Sequence, residues 1–196
     1  MQEIRIKEFA GRLRDGIVHN LESRIVFFLG AGCSISSGIP SAGGLVRDWM
    51  KRIRAAKAMN DEAWAAYRDS EFPGVEDNPA QYYEKAYSTL FLAAQPGQQE
   101  IERLMDAGSP SFGYISLAQL MTHPDHGRQM NVVLTTNFDD LPAEALYLYT
   151  RARPRVIAHE TLANYSRASE QRPLIVKLHG DAHLDPKSSG DGIRAL

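Results

Sequence analysis

Three short segments of glycine or polar residues follow apolar runs, at the points where buried strands would end. They are Gly30 to Pro40, Thr135 to Asp139 and the dipeptide His179-Gly180. Glycine lets the backbone turn sharply and lets a ligand approach it closely, and the free N–H groups of such a turn favour a pyrophosphate. A histidine at the end of a strand can serve as a general base near neutral pH. Each segment therefore has a chemical role available to it.

The first two segments also have a purely structural interpretation. The glycine segment is not a P-loop, and Ile35 stands where the usual dinucleotide-binding fingerprint needs a third glycine, so a tight turn without a ligand stays open. The residues just before Pro142 are also typical of a helix cap. We assign Asp140 and Glu144 to that role because acidic side chains stabilise a helix N-terminus.

The amino-acid composition limits which partners and which cellular environment we expect for this chain. The 196 residues include 22 Lys and Arg against 24 Asp and Glu, so the net charge is −2 and nucleic-acid binding is not indicated. Cys33 is the only cysteine, which excludes an intramolecular disulfide and fits a reducing cytoplasm. His179 and His183 have turn residues between them, so no metal site is expected. No apolar run approaches the ~18 residues that cross a bilayer, so we expect no membrane partner.

Hydrophobic periodicity predicts the elements that position these segments. Apolar residues at helical spacing predict an amphipathic helix over 3–21, and another helix is expected to begin near Pro142. A continuous apolar run over 24–29 predicts a strand buried on both faces, as in parallel sheets. Further strands are predicted over 131–136, 155–158 and 174–178, with four or five short helices between 45 and 121.

This alternation of strands and helices predicts an α/β fold. We expect a Rossmann-like doubly wound parallel sheet with an all-helical insertion, at about 45–121, between the first and second strands. Ligands of such sheets bind at the carboxyl ends of the strands. The residues that follow Leu29, Leu134 and Leu178 are therefore the places to look for chemistry.

Taken together and in this order, the three segments resemble the Sir2 (sirtuin) superfamily. That superfamily carries a Gly-Ala-Gly-x-Ser loop running into Gly-Ile-Pro, then a Thr-x-Asn-x-Asp motif, then a His-Gly dipeptide, and the resemblance here spans 24–181. It implies that the chain binds NAD and breaks the bond between nicotinamide and ribose.

The resemblance also implies a role for each matched residue. The loop residues Ala31, Gly32 and Ser34 would hold the pyrophosphate and the ribose beside it. Asn137 would hold the ribose or the attacking water, Asp139 the nicotinamide amide, and His179 would act as general base. The other members of the implied NAD site are Gly30, Gly38, Ile39, Pro40 and Thr135.

Departures from the deacylase pattern favour water as the acceptor. Ser41-Ala42-Gly43 stands where deacylases carry Asp-Phe-Arg, Thr136 stands where they usually have Gln, and their four-cysteine zinc module has no counterpart. The chain thus looks like the bacterial Sir2-like NAD-hydrolase modules of anti-phage defence proteins, which release nicotinamide and ADP-ribose. A deacylase or ADP-ribosyltransferase is the second hypothesis, and a non-catalytic sensor of NAD or ADP-ribose is the third.

The same resemblance sets expectations about organisation. We expect one Sir2-like domain over 1–196, incomplete at its C-terminus because only Asp181 to Leu196 follow the His-Gly dipeptide. Alone it should bind NAD weakly. A fused or bound sensing module and a homo-oligomer are the expected partners.

Overall fold

The computed structural model describes residues 5–20, 22, 24–158 and 172–178. The chain divides into two compact units. The first takes the described residues of Met1–Gly30 and Pro110–Gly180, and the second takes Ala31–Ser109. In chain order the α-helices are α1 (Ile6–His19), α2 (Ala42–Lys57), α3 (Asp61–Glu71), α4 (Tyr83–Leu90), α5 (Ala94–Asp106), α6 (Phe112–Met121) and α7 (Leu141–Ala145).

A parallel sheet organises the first unit. Its described strands are β1 (Val26–Leu29), β2 (Val132–Thr135), β3 (Arg155–Ile157) and β4 (Leu174–Lys177). They lie in the order β1-β2-β4-β3, and every pair is parallel. All four predicted strands are confirmed, and so is the α/β fold class with its parallel sheet.

The helices also follow the predicted pattern. The helix predicted over 3–21 is α1, and the helix expected near Pro142 is α7, which continues as a π-helical turn over Leu146–Thr150. Five helices and no strand lie between Ala42 and Met121, where the chain is described throughout. The helical character of this segment is therefore confirmed.

The prediction that the first strand is buried on both faces is wrong. Val26 is 48% exposed and Phe28 is 64% exposed, while the alternate residues Phe27 and Leu29 are half-buried. Among the described strands β1 pairs with β2 alone, so it forms an edge of the sheet. An apolar run cannot by itself distinguish an edge strand from a central one, because both are rich in β-forming residues.

Buried side chains of the sheet form part of the core of the first unit. Val133 of β2 and Ile175 of β4 are almost completely buried there, and α6 packs against α7 and its π-helical continuation. Gln129 is buried as well and donates to the carbonyls of Ile17 and Asn20 at 3.1 and 3.0 Å. These bonds satisfy carbonyls that the end of α1 leaves without a helical partner.

The second unit is held by an aromatic cluster. The indole of Trp49 on α2 is completely buried, and its ring centroid lies 5.1 Å from that of Tyr83 and 5.6 Å from that of Tyr87. Burial raises the pKa of Tyr83 to about 12, with a smaller contribution from charge interaction with Tyr87. Aromatic pairs at these distances add to the stabilisation that burial of their area provides.

Two classes of feature are absent from the described part of the chain. None of its helices combines the length and the apolar character that crossing a membrane requires. No cluster of three His, Cys, Asp or Glu side chains that could hold a metal occurs in it either.

Candidate functional site

Residues 136–140 follow β2 at its carboxyl end and are named the polar loop. The loop contains the Thr135–Asp139 segment apart from Thr135 itself. Thr135, the last residue of the strand, is 1% exposed, and its Oγ1 accepts a hydrogen bond from the backbone N–H of Asn137 at 3.0 Å. The side chain of Asn137 is directed to the neighbouring strand end, where its Nδ2 donates to the carbonyl oxygen of Gly30 at 3.2 Å. Asn137 is 7% exposed. The end of β2 and the end of β1 are therefore joined through this amide.

The sequence-based interpretation assigns the capping of α7 to Asp140, but in the structure Asp139 makes the capping hydrogen bond. Asp140 occupies the N-cap position of α7, as expected, but its side chain makes no capping hydrogen bond. The carboxylate of Asp139 does so instead, since its Oδ1 accepts from the N–H of Leu141 at 3.2 Å. Asp139 is 3% exposed, so it is a buried carboxylate at the start of a helix, where the helix dipole stabilises negative charge.

Lys177 is a part of this strand-end region that the motifs do not single out. Its Nζ donates to the carbonyl oxygen of Phe138 at 3.0 Å and pairs with Asp140 Oδ1 at 2.8 Å. In the register of the sheet, Lys177 of β4 lies beside Thr135 of β2. The signal was present in the sequence, because a lysine two positions after the buried Ile175 must face the same side of the strand.

The glycine segment lies mostly in the second unit and forms a 3₁₀ helix over Ala31–Ser37. Gly38 follows with φ +91°, a left-handed conformation that glycine adopts without strain. The hydroxyl-bearing Ser34 is buried, and its carbonyl accepts from the N–H of Ile39 at 3.2 Å. A Cβ added at Gly32 would meet nothing within 4 Å, so the backbone there borders open space.

The helix after this segment begins later than a tight strand–helix turn implies. Helix α2 starts at Ala42, and Ser41 is its N-cap, with Oγ accepting from Gly44 N–H at 3.1 Å. Ser41 thus has a structural function that explains a small hydroxyl residue at this position. A Cβ at Gly43 would lie 3.2 Å from the Pro79 side chain, which explains the glycine two positions on.

The predicted site residues therefore fall into three sets. In the first unit, Gly30, Thr135 and Asn137 are joined by hydrogen bonds, and Asp139 is buried in the same loop. In the second unit, a continuous segment holds the remaining residues of the glycine loop, namely Ala31, Gly32, Ser34, Gly38, Ile39 and Pro40. His179 lies outside the described residues, as does His183.

A comparison with protein families agrees with the motifs. A family model described as a SIR2-like domain matches residues 131–190, a range that includes Asn137, Asp139, Lys177 and His179. No curated protein matches the chain. The family match supports placing the chain in the Sir2-like superfamily, as the three motifs predict, and domains of this kind are typical of NAD-using enzymes.

Proposed function

We propose that the chain is an NAD⁺ hydrolase that cleaves the nicotinamide–ribose bond and transfers the ribose to water. The observation that carries the proposal is the pair of buried polar side chains, Asn137 and Asp139, held in one loop at the carboxyl end of β2. Ligands of doubly wound sheets bind at this edge. Polar groups are costly to bury, so their burial at such a place favours a binding function.

The chemistry of these residues fits NAD. Asn137 offers an amide that can hold a hydroxyl or a water, and Asp139 offers a carboxylate that can accept from a primary amide such as that of nicotinamide. The open space beside Gly32 would admit a ligand close to the backbone. The pyrophosphate-binding role of Ala31, Gly32 and Ser34 rests on the resemblance to sirtuins.

These site residues would orient the ribose and the attacking water. They would not need to protonate a leaving group. When bound, NAD supplies a nicotinamide group that leaves as a neutral molecule, so no acid is needed for its departure. Asn137 is anchored on both sides, through its backbone to Thr135 and through its side chain to Gly30, which fixes it for positioning a ribose or a water. His179 would take the proton from the attacking water.

The residues after the glycine loop favour water as acceptor. Deacylases carry a bulky aromatic in the tripeptide where this chain has Ser41-Ala42-Gly43, and that aromatic shields the sugar. Here Ser41 is used as a helix cap, and Gly43 makes room for Pro79. Small side chains at these positions would leave water access to the ribose.

Product analysis tests the proposal. The purified protein is incubated with NAD, with and without an acetyl-lysine peptide, and nicotinamide, ADP-ribose and O-acetyl-ADP-ribose are quantified. We expect nicotinamide and ADP-ribose in equal amounts, at a rate that the peptide does not change. Strict dependence on the peptide, with O-acetyl-ADP-ribose as product, would replace the hydrolase by the deacylase. Binding of NAD without any nicotinamide release would favour the sensor.

A histidine pair supplies the control for catalysis. His179→Ala should lower nicotinamide release by at least about 100-fold if His179 is the general base. His19→Ala changes an exposed histidine at the end of α1 and should leave the rate unchanged. Equal rates for the two variants would contradict the assignment of the base.

The biological role that we propose is NAD depletion during phage infection, under the control of a fused or bound sensing module in an oligomer. Phage challenge of bacteria that express the complete protein tests this role. Survival of the culture and a fall in cellular NAD, both lost in His179→Ala, are the expected results. A fall in NAD without any effect on phage growth would contradict the defence role and leave the enzymatic proposal in place.

A further inference from the structure

Lys177 is a buried cation at the end of an otherwise apolar strand, β4. Its side chain is 1% exposed, and it faces the same side of β4 as Ile175, which is also 1% exposed. Burial of an ammonium group is unfavourable unless charge and hydrogen bonds compensate for the lost hydration. The groups that compensate for this lost hydration therefore indicate which part of the protein the lysine holds in place.

Both of its described partners belong to residues 136–140, the polar loop. The Phe138 carbonyl, 3.0 Å from Nζ, is part of the peptide that leads from Phe138 into Asp139. The Asp140 carboxylate, at 2.8 Å, follows directly. The ammonium thus fixes the backbone between the two candidate site residues, Asn137 and Asp139.

Lys177 adds a charged donor to the other hydrogen bonds of the loop. Residues 136–140 belong to neither a helix nor a strand. Asn137 is held by the neutral oxygens of Thr135 and Gly30, and Asp139 is held by the N–H of Leu141. A hydrogen bond from a charged donor is roughly twice as strong as a neutral one, so Lys177 contributes the strongest of these restraints that comes from another strand.

We propose that Lys177 is a positioning residue, whose buried ammonium holds the polar loop so that Asn137 and Asp139 keep their place for NAD cleavage. This inference rests on the hydrolase proposed above. Lys177 donates into the protein and is not assigned a contact with substrate, so it acts through the loop. In the sequence, His179 follows Lys177 by two positions, so Lys177 stands between the second and third motifs.

Two measurements on variants test the proposal. Lys177→Met removes both bonds, and Asp140→Asn removes the ion pair while leaving the bond to Phe138. Lys85→Met is the matched control, because Lys85 also donates to a backbone carbonyl and pairs with a carboxylate, both of Glu71, but is 46% exposed. The readouts are amide hydrogen exchange, resolved by segment, and the kcat and KM of nicotinamide release.

A positioning role predicts a local effect. In Lys177→Met, exchange over residues 136–141 should accelerate by at least about 10-fold while α2–α5 are unchanged. Turnover (kcat) should fall by at least about 10-fold with KM within about 3-fold, since orientation matters most in the transition state. Asp140→Asn should show a smaller loss, Lys177→Arg should recover part of it, and Lys85→Met should match the unaltered protein.

Two results would overturn the proposal. One is loop exchange and kcat unchanged in Lys177→Met, and the other is faster exchange everywhere, which would make Lys177 only a stabiliser of the fold. If Lys177→Met does not fold, Lys177→Gln serves, because its amide can still donate. Absence of nicotinamide release from the unaltered protein would refute the hydrolase, whereas the exchange data would still decide whether Lys177 holds the loop.

Discussion

Two lysines in two regions of the molecule each donate to a backbone carbonyl and pair with a carboxylate, but they differ strongly in burial. Lys177, in the sheet, donates to the Phe138 carbonyl and pairs with Asp140, with 1% of its side chain exposed. Lys85, in the helical unit, donates to the Glu71 carbonyl and pairs with the Glu71 carboxylate, with 46% of its side chain exposed. Water competes for every partner of Lys85, so its ion pair contributes about 0–1 kcal/mol. The ammonium of Lys177 is itself shielded from water, although 37% of the side chain of its partner Asp140 is exposed.

The difference extends to the regions that contain these lysines. At the end of β2, the buried side chains are polar, namely Thr135, Asn137 and Asp139. In helices α2–α5 of the helical unit, the buried residues are apolar, aromatic rings pack around Trp49, and the ion pairs Arg54–Asp61 and Lys85–Glu71 lie near the surface. Buried polar groups are costly, and a chain retains them where orientation matters. This contrast favours the loop after β2 as the place of the site that we propose.

Asparagine supplies the largest expected contrast between the two regions. Asn137→Ala should lower the kcat of nicotinamide release by at least about 100-fold, because it removes the amide that we propose orients the ribose or the water. Asn60→Ala removes the N-cap of α3, where the side chain accepts from Ala63 N–H, and should cost about 1 kcal/mol of unfolding free energy with no change in kcat. Steady-state kinetics and chemical denaturation of both variants check this.

The opposite results for Asn137 and Asn60 would contradict this contrast between the two regions. If Asn137→Ala kept its turnover and lost only stability, the loop after β2 would be a structural turn. A loss of turnover in Asn60→Ala beyond its loss of folded protein would show that the helical unit takes part in the reaction.

Glycines provide a second contrast. A Cβ at Gly97 of α5 would collide with the hydroxyl group of Tyr87, so Gly97→Ala should lower the free energy of unfolding by about 1–3 kcal/mol. A Cβ at Gly32 meets nothing within 4 Å, so Gly32→Ala should change stability by less than about 0.5 kcal/mol. The second variant should instead raise the KM for NAD. Urea denaturation and initial rates measure the two effects, and a raised KM in Gly97→Ala alone would contradict them.

The smallest effect concerns alkaline pH. The pKa of Tyr83 is raised from 10.0 to about 12, so the folded state holds this proton more tightly than the unfolded state. Stability from this group is complete below pH 10 and declines as the pH rises towards 12, by up to about 2 kcal/mol. Tyr83→Phe keeps the ring beside Trp49 and should flatten that decline. Tyr147→Phe, at an exposed position of the first unit, should not. Denaturation between pH 8 and pH 12 measures both, and equal slopes for the two variants would contradict the prediction.

Much of the fold follows from local pattern, and the rest depends on tertiary neighbours. The apolar runs at 26–29 and 174–177 are strands, because β-forming residues of that length have few alternatives. The same runs do not show which strand lies at an edge, so the exposure of Phe28 is unexpected from the sequence. Pairing order depends on contacts between residues far apart in the sequence, such as Val26 with Val132 and Val132 with Leu174, and no local pattern contains it.

The candidate site also divides into residues that the sequence predicts and residues whose role depends on tertiary neighbours. The motifs locate Asn137 and Asp139 because their residue types and spacing are distinctive, and the structure finds both buried in one loop. The sequence motifs do not identify Lys177, because a lysine in a strand is usually solvated. Only the pairing of β2 with β4 puts it beside the loop. The ion pair of Asp140 with Lys177 is unpredicted for the same reason, since the two residues are distant in sequence.

One measurement tests most directly the claim that NAD chemistry takes place at the loop after β2. Amide hydrogen exchange of the protein is compared with and without saturating ADP-ribose, which binds as a product and is not consumed. The account predicts slower exchange over residues 30–40 and 135–141 and no change over α3, α4 and α5. Protection confined to those helices, or none at all in the loop after β2 while ADP-ribose is bound, would contradict it.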